Sequence, residues 1–203
     1  IVFGLAALVA VMVVIESRRT APAPLPVQMR PHHELMTMHR VAGELIGRYL
    51  VDTYSRDHIL LLMPPLTRRS AEDDVVLEGI RSIVTEDIAL LTVATPEDDV
   101  DAPAPVWLMP GAFDKAVAGH PATDVVVSIA GLPVKPEQMQ FWRWQQRPDL
   151  VLFNASLLQL EDLIASGAID AILVRRPGRE GEPARRPPDD PRNWLLITAE
   201  NFE

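Results

Sequence analysis

Cysteine is absent from all 203 residues, which excludes disulfides, thiolate nucleophiles, iron–sulfur clusters and cysteine-ligated zinc together. The absence leaves the compartment open, because a chain without thiols tolerates reducing and oxidising surroundings alike. Positive charge is also scarce: 19 Lys and Arg stand against 28 Asp and Glu, a formal net charge of −9. A broad phosphate-binding surface would work against that charge, so nucleic acid is not an expected partner.

The motifs of common enzymes are missing as well. No G-x-G-x-x-G follows an apolar strand and no G-x-x-x-x-G-K-[ST] occurs, so the glycine-rich cradles for dinucleotide and nucleotide phosphates are lacking. No G-x-S-x-G elbow is present; Ser128 in VVVSIAG sits inside an apolar strand, where its hydroxyl is expected to bond to backbone. A phosphoacceptor receiver domain needs clustered acids after its first strand and an aspartate after its third. Met63-Pro64-Pro65 and Ala130-Gly131-Leu132 occupy those places. The expectation is a protein without catalytic residues and without a cofactor.

Metal chemistry fares no better. His32, His33 and His39 lie near Met29, Met36 and Met38, and His/Met pairs can bind haem or copper. On one helix His32 and His39 stand about 10 Å apart by rise, too far to share an ion. Met36 and His39 could approach a common site, but methionine at helical spacing commonly fills cores. Glu97, Asp98, Asp99 and Asp101 lack the EF-hand spacing and read as a solvated turn. No metal site is expected.

What is present begins with an apolar run. Residues 1–15 read IVFGLAALVAVMVVI, without a polar side chain, and Glu16, Arg18 and Arg19 close it. As a helix this run is about 22 Å long, so a few residues upstream would complete a span of the ~30 Å hydrocarbon core. Ser17-Arg18-Arg19-Thr20 is a poor small-x-small cleavage site, which favours a retained transmembrane anchor over 1–19 rather than a cleaved signal. Whether residues precede Ile1 stays open. Residues 20–31, opening TAPAPLP, form a Pro/Ala-rich stalk. The expected location is a bacterial-type inner membrane, single-pass, with the soluble part on the periplasmic side.

An amphipathic helix over 32–56 comes next, with Leu35, Met38, Val41, Ala42, Leu45, Ile46, Tyr49 and Leu50 on one stripe. From 57 to 203 the pattern alternates. DHILLLMPP reads as a strand buried on both faces, and Ser70-Ala71-Glu72-Asp73 as a capping box ahead of a helix with Val76, Leu77, Ile80 and Ile83 inward. Strands over 88–94, 124–130, 150–153 and 169–174 follow, with helices over 109–119 and from Ser156 to a stop at Gly167, and a last strand over 194–198. This predicts an α/β domain: a mainly parallel sheet of five or six strands with helices on both faces. Residues 175–192, rich in Pro, Gly and charge, read as a solvent loop.

The order DHILLLMPP, IALLTVATPE, FDKAVAGHPATDVVVSIAGLP, PDLVLFN and AIDAILVRRP resembles one lobe of the type I periplasmic binding proteins over roughly residues 57 to 175. The resemblance implies a flavodoxin-like sheet with a ligand crevice bordered by HPATDVVVSIAGLP. Members of that family bind ligands between two lobes, and this chain has room for one.

Fold physics places a ligand beyond the carboxyl ends of the parallel strands. There Arg68, Arg69, Thr95, Asn154, Ser156 and Arg175 could converge on a small polar or anionic ligand, although Ser70 and Ser156 are needed as helix caps in any case. Phe141, Trp142 and Trp144 in MQFWRWQQRP, with Arg143 and Arg147, either anchor a protein partner or lipid headgroups, or cover a sheet edge. Two functions are compatible with this pattern. One is a non-catalytic, membrane-anchored accessory subunit whose partners are the bilayer and the other subunits of a larger, energy-converting type of complex; it needs no small-molecule ligand. The other is a membrane-tethered solute-binding or sensing domain that uses the strand-end crevice.

Overall fold

The computed structural model describes residues 30–54, 58–84, 89–94, 109–153, 160–176 and 186–202. The expected anchor over 1–19, most of the stalk and the middle of the charged loop lie outside them. Among the described residues no helix is long and apolar enough to cross a membrane. The chain divides at His33/Glu34, and the architecture that follows is that of the unit from Glu34 onward.

Helix α1 (Arg30–Thr53) leads into β1 (His58–Met63), α2 (Ala71–Ile83), β2 (Ala89–Ala94), α3 (Pro110–Ala118) and β3 (Val125–Ser128). Two 3-10 turns (Pro136–Gln138 and Gln140–Arg143) precede β4 (Asp149–Phe153), α4 (Glu161–Ala165) and β5 (Ala171–Arg175); a third, Pro191–Asn193, precedes β6 (Trp194–Thr198). The six strands lie in the order β2-β1-β3-β4-β5-β6. All neighbours are parallel except β5 and β6, which pair antiparallel with Arg175 opposite Trp194.

Strand periodicity of two splits the apolar residues between the faces. Ile59, Leu61 and Met63 of β1, Val125 and Val127 of β3, and Val151 and Phe153 of β4 join one core with Ala42, Ile46 and Leu50 of α1 and Val76, Leu77 and Ile80 of α2. Leu60 and Leu62, Val126, and Leu150 and Leu152 face the other core, with Phe113 and Val117 of α3, Phe141, and Ile164 of α4. This explains why the central strands read as unbroken apolar runs: both faces are covered.

Local signals act where they were expected. Ser70 Oγ accepts the Asp73 N–H at 3.2 Å and Asp73 Oδ2 accepts the Ser70 N–H at 2.8 Å, closing the capping box of α2. Gly167 adopts φ +68° after α4, a conformation that glycine takes without steric cost. The helix α1 begins at Arg30, inside the last two residues of the expected stalk, and β5 ends one residue later than the pattern placed it.

Aspartates at the amino ends of strands cap their neighbours. Asp124 Oδ2 accepts the His58 N–H at 2.9 Å, and Asp170 Oδ2 accepts the Leu150 N–H at 2.8 Å. Each satisfies a strand-end donor that the ladder leaves without a partner.

Candidate functional site: the strand-end crevice

The strand order reverses between β1 and β3, because β1 leads outward to β2 and β3 leads the other way to β4. In an open parallel sheet this reversal opens a crevice beyond the carboxyl ends of the two strands. Its first wall is the turn after β1. The Arg68 and Arg69 N–H groups both donate to Pro65 O, at 2.8 and 2.9 Å. This folds the chain back to the Ser70 cap and leaves Leu66 70% exposed.

The second wall follows β3. Ser128, fully buried, donates its hydroxyl to Gly131 O at 2.6 Å, as its place in an apolar strand implied. That bond closes a tight turn in which Gly131 takes φ +81°. Val134 then stands 69% exposed. Two exposed apolar side chains, Leu66 and Val134, therefore belong to the two loops that border the switch point.

Three of the six candidate ligand residues are described. Arg68 is exposed on the β1 turn. Arg69 is mostly buried and turned to α2, where it pairs with Asp74 at 2.5 Å, and its Nε has no hydrogen-bond partner among the described residues. Arg175 is exposed at the end of β5. Two strands separate β5 from β1, so the strand ends that lead to Arg69 and to Arg175 are about 14 Å apart at ordinary strand spacing. Thr95, Asn154 and Ser156 lie outside the described residues.

The sequence pattern missed an aromatic cluster at the carboxyl ends of β4 and β5. His39 of α1 stands edge-on to Phe153 and Trp194, with ring centroids 6.1 and 5.9 Å away, and Phe153 and Trp194 lie 5.5 Å apart. The Trp194 indole N–H donates to Met38 O at 3.0 Å, locking β6 to α1. These residues are distant in sequence, and no local spacing joins them.

The candidate partner residues are corrected in part. Phe141 is fully buried, so it packs the core and offers no surface. Trp142 and Trp144 are half-buried around it, edge to face at 5.1 and 5.5 Å, and the Trp142 indole N–H donates to Pro136 O at 2.6 Å. Arg147 lies 5.8 Å from the Phe141 and Trp142 ring centres while donating to Ala168 O and Gly167 O. The sequence leaves open whether these rings anchor a partner or cover a sheet edge, and does not separate Phe141 from the two tryptophans. The segment is a 3-10 turn, whose period of three drives Phe141 inward.

Most displaced titrations among the described residues lie at the opposite, amino-terminal end of the sheet. Burial pushes Asp170 above the usual carboxylate range, and the His58 backbone N–H holds Asp124 below it. Burial also raises the paired phenols of Tyr49 and Tyr54. At the β6 side, the Arg192 guanidinium holds Asp190 down to about 2.

No family model and no curated protein matches the chain. Solved structures do. GanP, a glucose-galactose binding protein from Geobacillus stearothermophilus, aligns at 20% identity with a TM-score of 0.51, over 67% of this chain and 47% of that one. An ABC transporter solute-binding protein from Burkholderia graminis, in complex with D-arabinose, aligns at 14% identity and a TM-score of 0.57, over 80% and 60%. The XylFII–LytSN complex aligns at 11% identity and 0.56, over 80% and 60%. The fold is thus that of a single lobe of the type I periplasmic binding proteins, and the chain spans no more than 60% of the length of these three. At such identities the likeness is one of fold. Nothing in it supports the accessory-subunit expectation, and the exclusion of a small-molecule ligand that went with it loses its basis.

Proposed function

We propose that this chain is a non-catalytic solute-binding or sensing lobe, tethered through residues 1–19, that takes a small polar solute beyond the carboxyl ends of β1 and β3. The observation that carries the reading is the reversal of strand order between those strands, since ligands of open α/β sheets collect at such a switch point. Sugars are the class to try first, because the structural neighbours include a glucose-galactose binding protein and a D-arabinose complex. A lobe of this size leaves one side of the crevice open, and Leu66 and Val134 form an apolar rim on which a second lobe can close.

The test is calorimetric titration of the chain with D-arabinose, D-glucose and D-galactose. The expected result is a saturable one-to-one isotherm for at least one of them, weakened by Val134→Trp, which narrows the crevice from an exposed position. No saturable heat from any of the three at millimolar concentration overturns the sugar reading. Unchanged binding in Val134→Trp removes it from the crevice.

A further inference from the structure

A cavity of about 400 Å3 lies at the opposite end of the sheet, in the corner between the starts of β1 and β2 and the turn Gly119–Thr123. α3 stops at Ala118 and the turn drops directly to β3, and among the described residues none covers the edge strand there, where Leu91 is 47% exposed. Its volume falls in the range of small-molecule sites. Ile59, Leu90, Leu91 and Pro121 supply apolar wall, and the polar side chains of the lining are His58, His120 and Thr123.

The tautomer of the neutral His58 ring is set by its neighbour. Its Nδ1 lies 3.2 Å from Asp124 Oδ2, and that same oxygen accepts the His58 backbone N–H at 2.9 Å. An ionised carboxylate only accepts, so Nδ1 is the donor and the proton of the neutral imidazole sits there. Nε2 is left with a lone pair and no partner in the Asp124 contact.

We infer that this corner is a second ligand site, for a small and mainly apolar molecule with one hydroxyl whose O–H donates to His58 Nε2 while its body lies against Ile59, Leu90, Leu91 and Pro121. An anion is disfavoured by the Asp124 carboxylate behind the imidazole, and a molecule without a donor would leave the acceptor nitrogen desolvated and unpaired. The site is independent of the strand-end crevice and needs no second lobe.

The probes are p-cresol and toluene, which differ by one hydroxyl, titrated into the full chain at pH 8 and followed by ligand-observed NMR. The expected result is saturable binding of p-cresol, about fivefold tighter than toluene for one hydrogen bond. His58→Phe should abolish that difference and leave toluene unchanged. Leu91→Trp, at a half-exposed edge position that does not depend on His58 folding correctly, should block both probes. Equal binding of the two probes, survival of the p-cresol preference in His58→Phe, unimpaired binding in Leu91→Trp, or no saturation at all overturns the site.

Discussion

Gly43 of α1 and Gly79 of α2 meet backbone to backbone: a Cβ on either would start 3.0 Å from the Cα of the other. The same Cβ atoms would collide with Val76 O and Arg40 O. The two helices that cover one face of the sheet are therefore packed at a distance that only glycine permits.

Gly43→Ala should force α1 away from α2 and lower stability by about 1–3 kcal/mol, the usual cost of overpacking. Chemical denaturation would show a lower midpoint with the slope unchanged. Gly111→Ala is the control, since nothing lies within 4 Å of its Cβ position in α3. It should be neutral or stabilising by up to about 1 kcal/mol.

Asp114 is the buried carboxylate that holds the aromatic turn. It accepts the Gln140 N–H at 2.8 Å and the Phe141 N–H at 3.0 Å. Asp114→Ala strands both donors and should cost about 1–3 kcal/mol, with Asp114→Asn in between because its amide oxygen still accepts. Near-ultraviolet circular dichroism should change with it, since Trp142 and Trp144 pack on Phe141.

Asp170 and Asp124 should give opposite pH dependences. The folded state raises the Asp170 carboxyl by burial, so it binds a proton more readily than the unfolded chain. Its contribution is present below the ordinary carboxylate pKa and is lost as pH rises through the higher folded value. Asp170→Asn should therefore gain on the parent protein between acid and neutral pH. Asp124 is lowered, so its contribution is present above the ordinary value and is lost as pH falls. Asp124→Asn should be less stable than the parent at neutral pH and match it in acid. Thermal melts of the three proteins from pH 3 to pH 7 would show both trends, and parallel curves would refute them.

Much of the fold was legible because it is local. The capping box at Ser70, the stop at Gly167, the inward hydroxyl of Ser128 and the doubly buried strand HILLLM each depend on residues a few positions apart. The end of the sheet at which a crevice opens was legible too, since it follows from strand direction, but the pair of strands that flanks it was not, because that depends on strand order. The burial of Phe141 was not, because FWRW fits an extended strand and a 3-10 turn equally well, and the choice between them came from Asp114 on another helix.

The sequence by itself determined the α/β class, the parallel alternation and the absence of thiol chemistry and phosphate cradles. These follow from composition, periodicity and caps, which act within one turn or one strand. Only the tertiary structure decided the strand order, the antiparallel return of β6, the seat of α1 on α2 and the corner between His58 and Leu91. Each of those rests on contacts between residues far apart in the chain, such as Trp194 with Met38 or His58 with Asp124, and a hydrophobic pattern records that a face is buried without recording what buries it.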